Sequence, residues 1–393
     1  MAAFDDIKTT LTRLEKRGLY RRRRVVESAL SRTVVVDGRE MLNFCSNDYL
    51  GLANDPRVAR AFSAGVDRWG AGAGASHLVC GHTSAHHELE EALAEFTGRE
   101  RALLFSSGYG ANVGTINALV GPNDAVFEDR LNHASLLDGG WISRANFNWY
   151  AHCDARDLES QVRSTEGGAG RKLIVSDGTF SMDGDVCPIE ELVSVARGAD
   201  AWLMIDDAHG IGVQGADGVG LVDPARFDTS HVPVLMATLG KAFGTFGAFV
   251  AGDESLIEYL VQRARNYIYT TALPSAVAVA TLASLDIVRT EAWRRTHLAE
   301  LITRFRAGAG QLGLELMPSE TPIQPIVIGD SGRAMVASAA LEERGILITA
   351  IRPPTVPRGT ARLRVTLTAA HAPEDIDHLL DALAAVIDTG ADE

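Results

Sequence analysis

Trp202-Leu203-Met204-Ile205 is a short apolar run that stops at Asp206-Asp207-Ala208-His209-Gly210. Val234-Leu235-Met236 is a second run, leading into Ala237-Thr238-Leu239-Gly240-Lys241-Ala242-Phe243-Gly244. Neither run alternates polar with apolar residues. Short unbroken apolar segments mark strands buried on both faces, and such strands belong to parallel sheets covered by helices. Similar runs occupy 102–105, 125–127, 173–175 and 248–250, with helical patterns between them. The reading is an α/β chain with a mostly parallel central sheet and helices on both faces. In such sheets ligands sit beyond the carboxyl ends of the strands. That rule places Ser107, Gly108, Ser181, Asp206, His209 and Lys241 on one rim, because each follows a run.

The flanking chain reads as a smaller unit. Phe4, Ile7, Leu11 and Leu14 share one face of an opening amphipathic helix, with Gly18 as its stop. Thr33-Val34-Val35-Val36, Asp37-Gly38 and Met41-Leu42-Asn43-Phe44 spell a hairpin, since Asp-Gly supplies the positive φ of a tight turn. Asp55-Pro56 predicts an N-cap and first helical residue for a helix through Trp69. After Pro274 a long helical stretch to about Leu312 precedes strands at 324–328, 346–351 and 361–368 and a helix over 373–387. This predicts a large domain over 51–275 and a smaller α+β domain over 276–393. The helix and hairpin of 1–50 should pack with the smaller one.

The chain has 393 residues, 46% hydrophobic and 22% charged, which suits a globular protein with a sizeable core. A net charge of -14 argues against nucleic-acid binding, which needs a basic surface. Arg21-Arg22-Arg23-Arg24 reads as a solvated or anion-facing patch, with a nuclear signal as the weaker alternative. Cys45, Cys80, Cys153 and Cys187 show no Cys-x-x-Cys spacing and read as free thiols. No apolar stretch approaches a membrane span, and no apolar signal core opens the chain. A soluble cytoplasmic protein without a metal is expected.

An amine at the end of one buried strand and a carboxylate at the end of another are the two parts that hold pyridoxal phosphate. A lysine forms Schiff bases with carbonyl compounds, and a carboxylate on the pyridine nitrogen makes the ring an electron sink. Asp206 would keep that nitrogen protonated; two aspartates merely capping a strand end is the plain alternative. Asp207 should turn to the opposite side. Lys241 stands among apolar residues and glycines, where desolvation would lower its pKa, and Thr238 offers a hydroxyl to the phosphate. Ser106-Ser107-Gly108-Tyr109-Gly110-Ala111-Asn112 follows a strand and opens a helix whose free amides suit a phosphate. A plain strand–helix turn is an equal reading of that segment. His133, at another strand-to-helix junction, reads either as a ring stacked on the pyridine or as structural. Gly70-Ala71-Gly72-Ala73-Gly74-Ala75-Ser76 follows no strand and reads as a flexible loop, not a dinucleotide fingerprint. His77, His82, His86 and His87 come next. Without a supporting cysteine or acid they read as surface or helix-start histidines rather than metal ligands.

His133, Asp206-x-x-His209 and Thr238-Leu239-Gly240-Lys241 together resemble the α-oxoamine synthases. These are fold-type-I pyridoxal-phosphate enzymes that condense an amino acid with an acyl thioester and lose CO2. The resemblance runs from the first helix to about His371. It implies Lys241 as the Schiff-base lysine, with Asp206, His133 and His209 completing the catalytic set. Asp206 would pair with the pyridine nitrogen and His133 would stack on the ring. Ser181 and His209 would bond the cofactor's polar edge, and Ser107, Gly108, Tyr109 and Thr238 its phosphate. Thr270-Thr271 matches a segment that reaches the phosphate from a second subunit, which implies a homodimer. Arg352 would hold the amino-acid carboxylate, while Asn47, His133, Thr355 and Arg21 would line the substrate site.

Four segments narrow the family reading. They are Asn47-Asp48-Tyr49-Leu50-Gly51-Leu52, Phe180-Ser181-Met182-Asp183-Gly184-Asp185, Ile323-Gln324-Pro325-Ile326 and Ala350-Ile351-Arg352-Pro353-Pro354-Thr355-Val356-Pro357. They resemble the branch that joins L-alanine to a pimeloyl thioester, on acyl carrier protein or coenzyme A, in biotin synthesis. Glycine with acetyl-coenzyme A is the competing substrate pair. A non-catalytic pyridoxal-phosphate protein is the competing class, and the intact Lys, Asp, His and Arg set argues against it. Ala73, Ala75, His77, Cys80 and Arg24 depart from residues common in the family, and bear on the choice of acyl substrate.

Overall fold

A computed structural model describes residues 4–17, 19–165 and 170–387. Gly18, the expected stop of the first helix, lies outside the described residues. In chain order the strands are β1 (Thr33–Val36), β2 (Arg39–Asn43), β3 (Arg101–Phe105), β4 (Ala125–Asp129), β5 (Asn146–Tyr150), β6 (Lys172–Asp177) and β7 (Trp202–Asp206). They continue as β8 (Val234–Thr238), β9 (Ala248–Gly252), β10 (Ile323–Gly329), β11 (Ile346–Leu347), β12 (Thr349–Ile351) and β13 (Ala361–Thr366).

One sheet has the order β3-β9-β8-β7-β6-β4-β5, and only β9 runs against its neighbours. Side chains alternate along each strand into two cores. Met204 of β7 enters one apolar cluster with Val126, Val175 and Met236, while Leu203 and Ile205 enter another with Phe127, Ile174 and Leu235. Both faces are therefore dry, which is why these strands carry no polar alternation. β5 is the strand that the apolar runs do not include. It sits at the sheet edge beside β4 alone, and Asn146-Phe147-Asn148-Trp149-Tyr150 is buried fully only at Tyr150.

The hairpin turn forms at Asp37 (φ 51) and Gly38 (φ 74), and β2 then takes β11 as a parallel neighbour. The sequence between 346 and 351, expected as one strand, divides at Ile348. β11 pairs with β2, whereas β12 pairs with β13 in a separate sheet ordered β10-β13-β12. The helical stretch after Pro274 is two helices, Ser275–Thr290 and Trp293–Gln311. Asp55 caps the helix Pro56–Trp69, its carboxylate accepting from the Arg57 amide at 2.9 Å.

Arg362 of β13 reaches the turn after β6. Its guanidinium pairs with Asp183 and donates to the Met182 carbonyl at 3.2 Å, and the two charged side chains are 4% and 10% exposed. Removing one partner leaves a buried charge uncompensated. Arg362→Leu should lower stability by about 3–5 kcal/mol, read as an earlier urea unfolding midpoint.

Candidate active site

The parallel strands bring their carboxyl ends to one rim. Asp206 ends β7, buried, with one oxygen accepting the Ala208 amide at 3.0 Å and the other the Asn112 side-chain amide at 2.7 Å. Asn112 projects from the helix Gly108–Leu119 and also donates to Ser135 Oγ at 2.9 Å. Asp177 ends β6 in register with Asp206. Burial, and then the charge on Asp206, push the Asp177 carboxyl well up, so it holds its proton beside its neighbour. It also accepts the His133 amide at 2.5 Å. Asp207 turns the other way, as alternation requires, and its carboxylate receives the Leu221 amide at 2.8 Å.

Lys241 follows β8 and is half-buried. Burial lowers its pKa; Asp206 opposes that first, and Arg364 adds to it. A lysine poised toward its neutral form is the nucleophile a carbonyl cofactor needs. His209 is buried, with Nδ1 2.6 Å from the Tyr49 hydroxyl. Burial and then the Lys241 charge hold its pKa well below the usual imidazole range, so it is neutral. Burial pushes the Tyr49 phenol up to about 12.

Arg364 enters from β13. Nε donates to the Ser181 carbonyl at 2.6 Å, Nη1 to Thr366 Oγ1 at 2.9 Å and Nη2 to Asn47 Oδ1 at 3.2 Å. These bonds use three of its five N–H groups. The structure thus links Asn47, Ser181 and Arg364, and sets a guanidinium within electrostatic reach of Lys241 and His209.

The end of β3 supplies an anion cradle. Ser107 caps the helix Gly108–Leu119 by accepting the Gly110 amide at 3.0 Å. The amides of Gly108 and Tyr109, at the first turn, point off the helix end. A Cβ on Gly108 would lie 2.7 Å from Thr238 Cγ2, so the glycine lets β8 and the helix end close together. Amides, the Thr238 hydroxyl, a carboxylate and an amine on one rim fit the phosphate, pyridine nitrogen and aldehyde of pyridoxal phosphate. Gly108→Val should push Thr238 away and forfeit one bond to the phosphate. That bond is worth about 1.5–3 kcal/mol, so cofactor affinity measured by equilibrium dialysis should fall roughly 10- to 100-fold.

The other expected positions are spread more widely. His133 caps the helix Ala134–Ser143 with its ring exposed and Nδ1 2.7 Å from Ser135 Oγ. Tyr109 is exposed and donates to Asp138. Thr270 and Thr271 are exposed; the Thr271 carbonyl accepts Ser106 Oγ at 3.0 Å, beside the cradle. Arg352 and Thr355 share the turn after β12, where the Thr355 amide donates to the Arg352 carbonyl at 3.1 Å. Arg21 is exposed, whereas Arg24 of the same run is tied to Asp37 and Glu342 at 2.9 and 2.5 Å. His86 opens the helix Ser84–Thr97, as one of the two expectations had it, but it is buried, and His77 is neither exposed nor at that helix start. His77 is buried against the Tyr267 ring at 4.9 Å, and His86 Nε2 meets the Leu273 carbonyl at 2.7 Å.

Sequence reasoning did not single out Asn112, Asp177 or Arg364. Asp177 follows the run 173–175 as Asp206 follows 202–205, so the same strand-end rule reaches it. Arg364 lies in the alternating segment Ala361-Arg362-Leu363-Arg364-Val365-Thr366, a pattern that suggests a solvated face, and only the burial of the whole strand shows that its charge needs an anion or carbonyl.

A model of aminotransferase class I and II matches residues 39–383. The chain is 61% identical over 379 residues to an 8-amino-7-oxononanoate synthase of Methylococcus capsulatus, covering 96% of this chain and 97% of the relative. It is 58% identical to that of Nitrosococcus oceani, over 96% and 100%. Among solved structures, the Sphingomonas wittichii serine palmitoyltransferase superposes with a TM-score of 0.92 at 30% identity, over 99% and 98% of the two chains. The S. paucimobilis enzyme with pyridoxal phosphate and myriocin bound gives 0.92 at 28%, over 98% of each. The 8-amino-7-oxononanoate synthase of Francisella tularensis gives 0.76 at 30%, over 89% and 98%. By fold, rim and kinship the chain belongs to the aminotransferase class I and II family, among its 8-amino-7-oxononanoate synthases.

Proposed function

We propose that the protein condenses L-alanine with a pimeloyl thioester, on acyl carrier protein or coenzyme A, in biotin synthesis. The products are 8-amino-7-oxononanoate, CO2 and the free thiol. The observation that carries this reading is the grouping, on one rim, of an amine kept toward neutrality, a buried carboxylate and a buried guanidinium with N–H groups to spare.

Pyridoxal phosphate, when bound, supplies an electron sink for charge developing on the amino-acid α-carbon. The rest is the work of the chain's own residues. Asp206 holds a negative charge toward the pyridine nitrogen. The free amides of Gly108 and Tyr109, with Thr238, hold the phosphate. Lys241 takes the α-proton of alanine, because burial disfavours its charged form. Arg364 faces the alanine carboxylate with its fork-shaped guanidinium, and Arg352 is the second arginine assigned to that group. The carboxylate stays held until it departs as CO2. His133 would cover the ring and, with Asn47, border the substrate. Ser181 and His209 bond the polar edge. Thr355 and Arg21 line the acyl side. Thr270 and Thr271 serve the phosphate of a second copy in a homodimer. Among the described residues no helix is long and apolar enough to cross a membrane, which accords with a cytoplasmic enzyme.

The test pairs L-alanine or glycine with pimeloyl or acetyl thioesters, identifying products by mass and CO2 release. Product from alanine with the pimeloyl donor is expected. A protein that instead turned over glycine with acetyl-coenzyme A would overturn the reading. Arg364→Leu should lower kcat/KM for alanine by roughly 10- to 100-fold, the worth of a charged hydrogen-bonded contact of about 1.5–3 kcal/mol, with the KM for the acyl donor little changed.

A further inference from the structure

The single π-helical turn His77–Gly81 folds back on itself and sets His77 Nδ1 3.0 Å from His82 Nδ1. With Nδ1 occupied, His82 presents Nε2 outward, 3.9 Å from Glu90 Oε2. Glu90 is held in place from its other oxygen, which accepts the Leu104 amide at 2.9 Å. His87 stands three residues before Glu90 on the helix Ser84–Thr97, so the two side chains share one face. One ligand atom from each of His82, His87 and Glu90 lies within 4.8 Å of the others. Bonds of about 2.0–2.2 Å to a tetrahedral zinc ion place ligand atoms roughly 3.3–3.5 Å apart. His82 and Glu90 must therefore close by about half an ångström, and the rest of the contraction falls on His87, whose side chain is 64% exposed. It is paired only loosely, with Glu91 at 3.3 Å across an exposed contact worth little.

We propose that His82, His87 and Glu90 bind a divalent transition-metal ion, zinc by preference, at a site that uses none of the residues around Lys241. Two neutral imidazoles and one carboxylate match the donor preference of zinc, with a fourth position left to water. Magnesium and calcium require oxygen donors and are disfavoured here. His77 has the place of an outer-shell partner. Its bond to His82 Nδ1 fixes which nitrogen of His82 is offered, and its stack on Tyr267, 16° from parallel, fixes the angle. His86 is spent elsewhere, on Thr83 and Leu273. The same helix start bonds Ser275 through Thr83 Oγ1 at 3.0 Å, so a bound ion would brace the segment next to Thr271.

Zinc binding to the untagged, cofactor-loaded protein, followed by calorimetry and by metal analysis after dialysis, tests this. One ion per chain is expected, undisplaced by a large excess of magnesium. His87→Ala and Glu90→Gln should each weaken binding by more than the roughly 10- to 100-fold typical of outer-shell changes, and His77→Phe should fall within that range. His87 is exposed, so its variant should keep the metal-free unfolding temperature and show that the loss is not misfolding. Cys80, an exposed free thiol nearby, is controlled by Cys80→Ser, which should bind as the parent does. Absence of saturable binding, parental affinity in either His87→Ala or Glu90→Gln, or a loss confined to Cys80→Ser would each overturn the proposal.

Discussion

Lys241→Ala is expected to lower kcat by at least about 10⁴-fold, combining the roughly 10²–10⁴ typical of a general base with the loss of the covalent tether. The structure explains why no neighbour can stand in. Asp177 is protonated and is already engaged with the His133 amide. His209 is neutral, but its Nδ1 is committed to Tyr49. Arg364 has no acceptor atom. The substitution should leave the fold in place, because Leu239, Ala242 and Phe243 on either side supply the core contacts. Single-turnover product formation with alanine and the pimeloyl donor checks the result. A variant with parental release of CO2 and product would remove Lys241 from the mechanism. Recovery of part of the rate by added small primary amines would support the role of the missing amine as base.

The rim was legible because burial on both faces writes itself into sequence as unbroken apolar runs, and each run ends where chemistry can be exposed. Asp206, His209 and Lys241 follow from that rule with no knowledge of tertiary contacts. Contacts between distant segments do not. Arg364 meets Asn47 across 317 positions, and the pairing of Asp177 with Asp206 requires knowing that β6 and β7 are neighbours in register. β5 escaped because an edge strand half-open to solvent loses the apolar signature. The division at Ile348 escaped because both halves are apolar; only their separate partners, β2 and β13, tell them apart. His86 and His87 do open the helix Ser84–Thr97, as expected, but the contact of His77 with His82 escaped for a related reason. Their spacing in sequence suggests helix-start residues, and only the turn at His77–Gly81 brings His77 back onto His82.

Asp206→Asn is expected to lower kcat by about 10²–10³-fold, the usual loss on removing one preorganised electrostatic partner, while the KM for alanine changes little. The substitution preserves shape. The new amide oxygen can keep the Ala208 N–H, and Asn112 can turn its buried, unpartnered oxygen toward the new NH2. The loss would therefore report charge rather than packing. It should also carry a pH signature. Asp177 is held protonated first by burial and next by the negative charge of Asp206. Removing that charge lowers the Asp177 pKa, since a like charge had favoured the neutral form. As pH rises, Asp177 then ionises and returns an anion to the same end of the sheet. Residual activity of Asp206→Asn should therefore climb with pH more steeply than that of the parent, and the climb should vanish in Asp177→Asn/Asp206→Asn. If the single and double variants showed the same pH profile, Asp177 would have to be read as a structural hydrogen-bond acceptor for His133, with no electrostatic part beside the cofactor.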